Sequence, residues 1–393
     1  MRIAVIGAKG LPAKQGGIEH YCQELYPRMI QEGHHVDFFA RSSYTGNPWF
    51  STINVKGINV ISLPSISVKG VDALFNSALA AIFTYLRPYD LVHIHALGPA
   101  LFTGLPKIGQ PMVVVVTCHG LDWQRSKWGL FSSQLIRLGE KMAVRYADEI
   151  TVVSPVLQQY FKNTYDIYTH YIPNAAASYM SPDPNSVYIE SLGLTDCKYI
   201  LFLGRLVPEK CPDLLIKAYL SLANPPWKLV IAGGGSHTPQ YSQYLKNLAK
   251  NNPNIIFTGE IKDQKVADIM RGASLFVLPS EIEGLPLVVL EAMQEGIPIL
   301  SSNIPVHQQM MGGKEERGLL FPVEDIQGCA KKLKYAIDHP EKIKQCAYLA
   351  RNYIKEHYNW QTIVDQKLKL YQQAIDRSVL AGKSRRNKSG SFG

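Results

Sequence analysis

The sequence predicts an α/β protein built from two doubly wound units in tandem. Short apolar, β-branched runs alternate with amphipathic stretches along nearly all of the 393 residues. Strands that are apolar throughout, rather than alternating, are buried on both faces, as in a parallel sheet covered by helices. The pattern breaks once, at residues 173–197, PNAAASYMSPDPNSVYIESLGLTDC, and then restarts. That Pro-, Ser- and Asn-rich stretch reads as a linker. At roughly 150 residues per domain, the length suits two to three domains.

The elements follow in order. RIAVIGA opens the first unit and leads into a helix, IEHYCQELYPRMIQEG. HHVDFFA and INVISLP are the next strands. VDALFNSALAAIFTYLRP is strongly apolar, but Asp72, Asn76 and Ser77 interrupt it. It falls short of the about 18 uninterrupted apolar residues of a membrane-spanning helix, and is expected to be a core helix. DLVHIHA, MVVVVTCH and EITVVS complete the first set of strands, with the helix SSQLIRLGEKMAVRYA between the last two. After the linker come KYILFLGR, WKLVIAGGG, IIFTGE, LFVLPS, IPILSS and RGLLFPV. In doubly wound sheets ligands bind beyond the carboxyl ends of the strands, and two such units facing each other leave a cleft.

The formal net charge is +9. A basic balance suits an anionic partner: nucleic acid, an anionic membrane or a phosphorylated substrate. Part of the excess lies in the tail SVLAGKSRRNKSGSFG, whose composition reads as disordered. No aromatic-basic module of the usual nucleic-acid-binding kinds is present, so no nucleic-acid partner is expected. The six cysteines, Cys22, Cys118, Cys197, Cys211, Cys329 and Cys346, are scattered without a C-x-x-C. This favours free thiols in a reducing cytoplasm over disulfides or zinc. The opening MRIAVIGAKG runs straight into a strand, without the apolar region of a signal peptide.

The chemistry-bearing residues cluster at strand ends. GAKGLPAKQGG follows the first strand, and Gly7, Gly10, Gly16 and Gly17 let backbone N–H groups approach a ligand near a helix N-terminus. The spacing is not G-x-G-x-x-G, Pro12 interrupts it, and FFARSS supplies no acidic residue for a ribose, so a dinucleotide site is disfavoured. His119 stands just past the strand MVVVVTCH. Arg205 and Lys210 lie on the loop after KYILFLGR, a guanidinium fork and an ammonium point charge that together suit a diphosphate. Beyond LFVLPS comes SEIEGLPLVVLE at 280–291. Pro286 suits the first turn of a helix, where its missing N–H costs nothing. The N–H groups around Leu285, Leu287 and Val288 then present a positive dipole end to an anion. Glu283 lies in the loop. Glu291 is hemmed in by Leu287, Val288, Val289, Leu290, Ala292 and Met293, where an ionised carboxylate is costly without a partner.

Glu283…Glu291 as E-x7-E, G-R-L-x-x-x-K at 204–210 and the opening GAKGLPAKQGGIE together resemble retaining glycosyltransferase family 4. The opening is similar to a subgroup that includes bacterial rhamnosyltransferases of surface-polysaccharide assembly. The resemblance implies a GT-B fold: an acceptor-binding domain over 1–178, a nucleotide-sugar domain over 197–355, a helix over 356–380 crossing back to the first domain, and a disordered basic tail over 381–393. It implies a nucleotide-diphosphate sugar as co-substrate, with no separate cofactor, and a glycan or lipid-linked acceptor. Arg205 and Lys210 would bind the donor diphosphate and Glu291 its ribose. Glu283, with the backbone of Gly284 and Leu285, would meet the sugar. Gly16 and Gly17 would line the donor phosphate, and His119 would lie near the reacting sugar. Asn174 matches the family's P-N-G, but Ala175 replaces the glycine.

Breaking a sugar–phosphate bond builds negative charge on the leaving diphosphate, which these cations and the helix N-terminus can stabilise without a metal. The sequence has no strand-flanked D-x-D, and no metal site is expected. Two alternatives share the architecture: a nucleotide-sugar 2-epimerase, and a binder without turnover. One further feature concerns location. Arg137, Lys141 and Arg145 form a stripe at i, i+4 and i+8, preceded by Trp128, Leu130 and Phe131. Such a helix can dock on an anionic membrane, which places the protein in the cytoplasm or on the inner face of the plasma membrane.

Overall fold

A computed structural model describes residues 1–389 except 15, 67–70, 110–111, 126–128, 178, 180, 182–186, 196–197, 236–238 and 251, with side chains through Leu380. Two compact units emerge: Met1–Ala175 with Trp360–Gly393, and Ala176–Asn359.

The first unit holds eight strands: β1 Arg2–Ile6, β2 His35–Arg41, β3 Thr52–Val55, β4 Ile58–Leu63, β5 Leu91–His95, β6 Val113–Cys118, β7 Glu149–Val152 and β8 His170–Tyr171. Their spatial order is β3-β4-β2-β1-β5-β6-β7-β8. All neighbours are parallel except β3 with β4. The second unit holds β9 Tyr199–Leu203, β10 Lys228–Ala232, β11 Ile255–Gly259, β12 Leu275–Leu278, β13 Ile299–Ser302 and β14 Leu319–Phe321, ordered β11-β10-β9-β12-β13-β14 and parallel throughout. Each strand expected from an apolar run is present. The central strands are buried along nearly their whole length, as two-sided coverage requires.

In both sheets the strand order reverses once, between β1 and β5 and between β9 and β12. These reversals are where such sheets open a crevice beyond their carboxyl ends. The loops that leave them are 7–16 in the first unit, and 204–211 and 279–286 in the second.

Several features differ from the sequence expectation. The two-residue β8 was not anticipated, and neither was β3. It forms an antiparallel edge hairpin with β4 through Lys56 and Gly57, both at positive φ, a turn whose twist matches that of the flanking strands. The helix Val71–Phe83 is not a core helix with a buried apolar face. Asn76, Ser77, Ala80 and Ala81 are buried, while Val71, Phe75 and Ile82 are exposed. Small residues permit close approach, and the polar ones are satisfied locally: Asn76 Nδ2 donates to the Ala40 carbonyl at 3.4 Å and Ser77 Oγ to that of Ala73 at 2.7 Å. The linker stretch 173–197 contains a short helix, Val187–Ser191.

The last helix, Trp360–Ser389, belongs to the first unit and runs through most of the stretch expected as a basic tail; residues 390–393 lie outside those described. Cys22, Cys118, Cys211, Cys329 and Cys346 are free thiols, and Cys197 lies outside the described residues. Among the described residues no helix is long and apolar enough to cross a membrane.

Candidate functional site

In the second unit three strand-end loops interlock. Gly204 N donates to the Ala232 carbonyl at 3.0 Å and Leu206 N to that of Gly234 at 3.1 Å, tying the loop after β9 to the loop after β10. Gly233 is required here. A Cβ on it would lie 1.8 Å from the Gly204 carbonyl oxygen. Glu281 N donates to the Glu209 carbonyl at 3.1 Å, and Cys211 Sγ meets Glu281 Oε1 at 3.2 Å, tying the same loop to the one after β12. Lys210 Nζ then forms an ion pair with Glu283 Oε1. Their side chains are only 14% and 7% exposed, so removing one partner costs more than breaking a surface salt bridge. Arg205 is partly exposed on the same loop.

His307 stands behind this pair. Its pKa is lowered to about 4, chiefly by burial, with Glu283 and Lys210 near enough to act on it in opposite senses. Nδ1 lies 2.9 Å from the Ser302 carbonyl, and the buried Nε2 has no hydrogen-bond partner. Ser302 Oγ in turn donates to the Ser280 carbonyl, fixing the start of the loop that carries Glu283.

The helix Leu287–Glu295 follows that loop, with Pro286 at its N-cap rather than inside the first turn. The Pro286 carbonyl accepts from Val289 N at 3.0 Å and Leu290 N at 3.3 Å. The N–H groups of Leu287 and Val288 have no carbonyl one turn back, which leaves a positive dipole end beside Gly284 and Leu285. Glu291 lies one turn on. Tyr179 OH donates to its Oε2 at 2.7 Å. Burial raises the Glu291 pKa to about 7, against that hydrogen bond.

In the first unit the glycine loop folds back on its own helix, Gly17–Gln31. Lys9 N donates to Glu19 Oε1 and Ala13 N to Gln23 Oε1, each at 2.8 Å. Gly16 has φ 102°, and a Cβ there would meet Glu19 Oε2 at 2.1 Å. Gly17 is the first helical residue. Gly7 packs onto the end of β5, where a Cβ would lie 2.2 Å from the His95 carbonyl oxygen. His119, just past β6, places Nε2 at 2.9 Å from His95 Nδ1. Both rings meet Tyr21 edge-on, with centroids at 5.3 and 5.9 Å. Asn174 is buried with its Oδ1 unpaired, and Ala175 is buried beside it.

Four imidazoles are thus held neutral by burial: His93 and His95 well below the ordinary range, His119 at about 3 and His307 at about 4. Between those values and about 6.5, the unfolded chain binds protons that the folded chain refuses, so stability falls as pH falls, by about 1.4 kcal/mol per pH unit for each such histidine. Glu291 works in the opposite sense, because its raised pKa makes the folded state take up a proton first, but it is one group against four. The midpoint of thermal unfolding, followed by circular dichroism, should drop steeply from pH 6.5 to 4.5; a flat profile would contradict the burial of these rings.

Sequence reasoning missed Tyr179, His307, Glu19 and His95. His307 follows the strand IPILSS, the same strand-end position that singled out His119. Tyr179 lay in a stretch read as linker, and no local signal joins it to a carboxylate 112 positions away.

Comparison with known proteins agrees with this geometry. A model described as glycosyltransferase family 4 matches residues 15–176, and one described as glycosyl transferases group 1 matches residues 187–353. A D-inositol 3-phosphate glycosyltransferase of Gordonia bronchialis is 25% identical over 417 residues, spanning 95% of this chain and 89% of that protein. An uncharacterized glycosyltransferase of Haemophilus influenzae is 26% identical over 360 residues, 89% and 95% of the two chains. Among solved structures, a sucrose-phosphate synthase from Thermosynechococcus elongatus matches with TM-score 0.82 at 22% identity, over 96% of this chain and 99% of that one. Anabaena HepE in complex with UDP-glucose matches with TM-score 0.78 at 18% identity, over 95% and 100%. The fold is therefore GT-B. The two family models fall one on each unit and together span most of the sequence, so the chain belongs to the group 1, family 4 glycosyltransferases, retaining and metal-independent hexosyltransferases that draw on a nucleotide-sugar donor.

Proposed function

We propose that the chain transfers a hexose, with retention, from a nucleoside-diphosphate sugar to a hydroxyl of a lipid-linked or growing surface-polysaccharide glycan. The observation that supports the donor site is the meeting of Lys210, Glu283 and an open helix N-terminus where the second sheet reverses. Arg205 and Lys210 hold the diphosphate and stabilise the charge that grows on it as the sugar–phosphate bond breaks. Glu291 accepts hydrogen bonds from the ribose. Glu283 and the backbone of Gly284 and Leu285 meet the sugar, which develops oxocarbenium character. Gly16 and Gly17 serve the donor phosphate, and His119 the reacting sugar. A screen of UDP-, GDP- and ADP-sugars for thermal stabilisation and slow donor hydrolysis tests this, followed by acceptor trials with the sugar that responds. Conversion of the donor to its 2-epimer, with no transfer to any acceptor, would replace transfer by epimerisation.

A membrane-borne acceptor is supported by the helix Leu130–Tyr146. Its buried side is anchored by Glu140, which accepts from Trp123 Nε1, Tyr160 OH and Tyr165 OH at 3.0, 2.7 and 2.5 Å. Its other side exposes Leu130, Phe131 and Leu138 beside Arg137, Lys141 and Arg145. Arg137 lies over the Trp123 ring at 4.0 Å; Trp128 falls outside the described residues. An apolar strip flanked by cations suits an anionic interface. The protein should sediment with anionic vesicles and not with neutral ones at low salt, and Lys141→Glu with Arg145→Glu should release it. Equal recovery with both vesicle types would remove the electrostatic part of this reading.

A further inference from the structure

His119 is the outer end of a hydrogen-bonded chain that runs through the core of the first unit. From His119 Nε2 it passes to His95 Nδ1 at 2.9 Å, and from His95 Nε2 to Tyr26 OH at 2.7 Å. Tyr26 OH lies 2.8 Å from His93 Nδ1, and His93 Nε2 lies 2.6 Å from Thr117 Oγ1. Thr117 Oγ1 meets Thr151 Oγ1 at 2.6 Å, and Lys367 Nζ donates to both, at 3.0 and 2.8 Å. The sheet explains the alignment: His95 pairs in register with Thr117, and Thr117 with Thr151, on β5, β6 and β7. Lys367 and Tyr371, one turn apart on the last helix, face these strands.

The protons in this chain can be assigned. Two phenol oxygens, Tyr26 at 2.8 Å and Tyr371 at 2.7 Å, reach the same nitrogen, His93 Nδ1. One ring lone pair cannot receive two O–H groups well, whereas one N–H can be shared between two oxygens in a three-centre bond. Nδ1 of His93 therefore carries the proton. Its Nε2 is then bare and must accept from Thr117 OH. Thr117 can give that proton because its oxygen is supplied by Lys367 and Thr151. Tyr26 accepts from His93, so its own proton goes to His95 Nε2. His95 is then protonated at Nδ1 and donates to His119 Nε2, which leaves the proton of His119 on Nδ1. Every donor points outward from Lys367, and bonds aligned in this way polarise one another.

We propose that this buried chain holds His119 as its Nδ1–H tautomer, so that the nitrogen left for a ligand is a hydrogen-bond donor, with His95, Tyr26 and Lys367 as positioning residues. This rests on the reading that His119 meets the reacting sugar. A donor suits an oxygen of the sugar or its phosphate. It is the wrong form for a general base, so His119 does not take the acceptor hydroxyl's proton.

Long-range ¹⁵N–¹H NMR of the histidine-labelled full chain, without ligand, reads the tautomer directly. At pH 6 Lys367, lowered to about 7 by burial, is an ammonium, and His119 is neutral. The signal lost in His119→Gln identifies the residue. The expected result is a proton on Nδ1 of His119, and its loss in Tyr26→Phe, which breaks the chain while keeping the ring. Should that variant fail to fold, Thr117→Val removes the proton that His93 Nε2 accepts, and the same loss is expected. A proton on Nε2 of His119 in the unaltered chain, or Nδ1–H persisting in the folded variant, would overturn the proposal. No substrate enters the measurement, so its failure leaves the donor and acceptor reading standing, and a failed donor screen leaves the tautomer standing.

Discussion

Lys210→Ala is expected to lower turnover by about 10²-fold or more if, as proposed, the ammonium stabilises charge on the leaving diphosphate. Arg205→Ala should do the same. The structure adds a complication for Lys210. Its partner Glu283 is nearly buried, and removing the lysine takes away the counter-charge paired with that carboxylate. Breaking such a pair costs stability, on the order of 3–5 kcal/mol. The double variant Lys210→Ala with Glu283→Gln separates the two effects. It should recover much of the lost thermal stability and none of the lost turnover. Recovery of turnover alongside stability would show that Lys210 acts as a structural counter-ion. Turnover of the unaltered enzyme should withstand a chelator; complete loss restored by magnesium would defeat charge stabilisation by protein cations alone.

Glu291→Gln and Glu283→Gln should part company. If ribose hydroxyls donate to Glu291, its amide leaves them poorly paired, at about 1.5–3 kcal/mol, or roughly tenfold to a hundredfold in affinity. Free nucleoside diphosphate and donor should both bind more weakly. The carboxylate must be ionised to serve. With its pKa raised to about 7, nucleotide affinity of the unaltered protein should fall as pH drops below that value, levelling off near that of Glu291→Gln, which should keep only the dependence due to the nucleotide's own phosphate, protonated at about pH 6. Glu283→Gln removes a negative charge beside Lys210, so affinity for the bare diphosphate should hold or tighten while turnover and sugar selectivity fall. Calorimetry with the nucleoside diphosphate, alongside donor kinetics, reads both. Equal weakening by the two substitutions would make them a single ribose-binding pair.

What the sequence disclosed follows from what each feature depends on. A strand buried on both faces writes itself as an unbroken apolar run, so every central strand was visible. The strand-end loops were visible because Gly, Pro and charge interrupt those runs abruptly. Pairings set by the tertiary fold left no local trace. Lys210 and Glu283 were each legible, but not their union across 73 positions. Tyr179 was hidden by composition, since a stretch rich in Pro and Ser reads as linker whether or not one of its rings reaches a carboxylate. The helix Val71–Phe83 misled for the opposite reason: apolar residues suggest burial, yet close packing selected the small face instead.

The last helix also bears on how the chain is made. Ile363, Val364, Lys367, Leu370 and Tyr371 are all buried, and they cover a sheet whose last strand ends at Tyr171. A ribosome must therefore release the entire second unit before the first can be finished. Until then His93 lacks Tyr371, Thr117 and Thr151 lack Lys367, and the apolar face beside them is open to water. The second unit is contiguous in sequence, Ala176–Asn359. A nascent chain stalled short of residue 360 would carry the whole second unit behind an unfinished first one, the state in which a chaperone would find it.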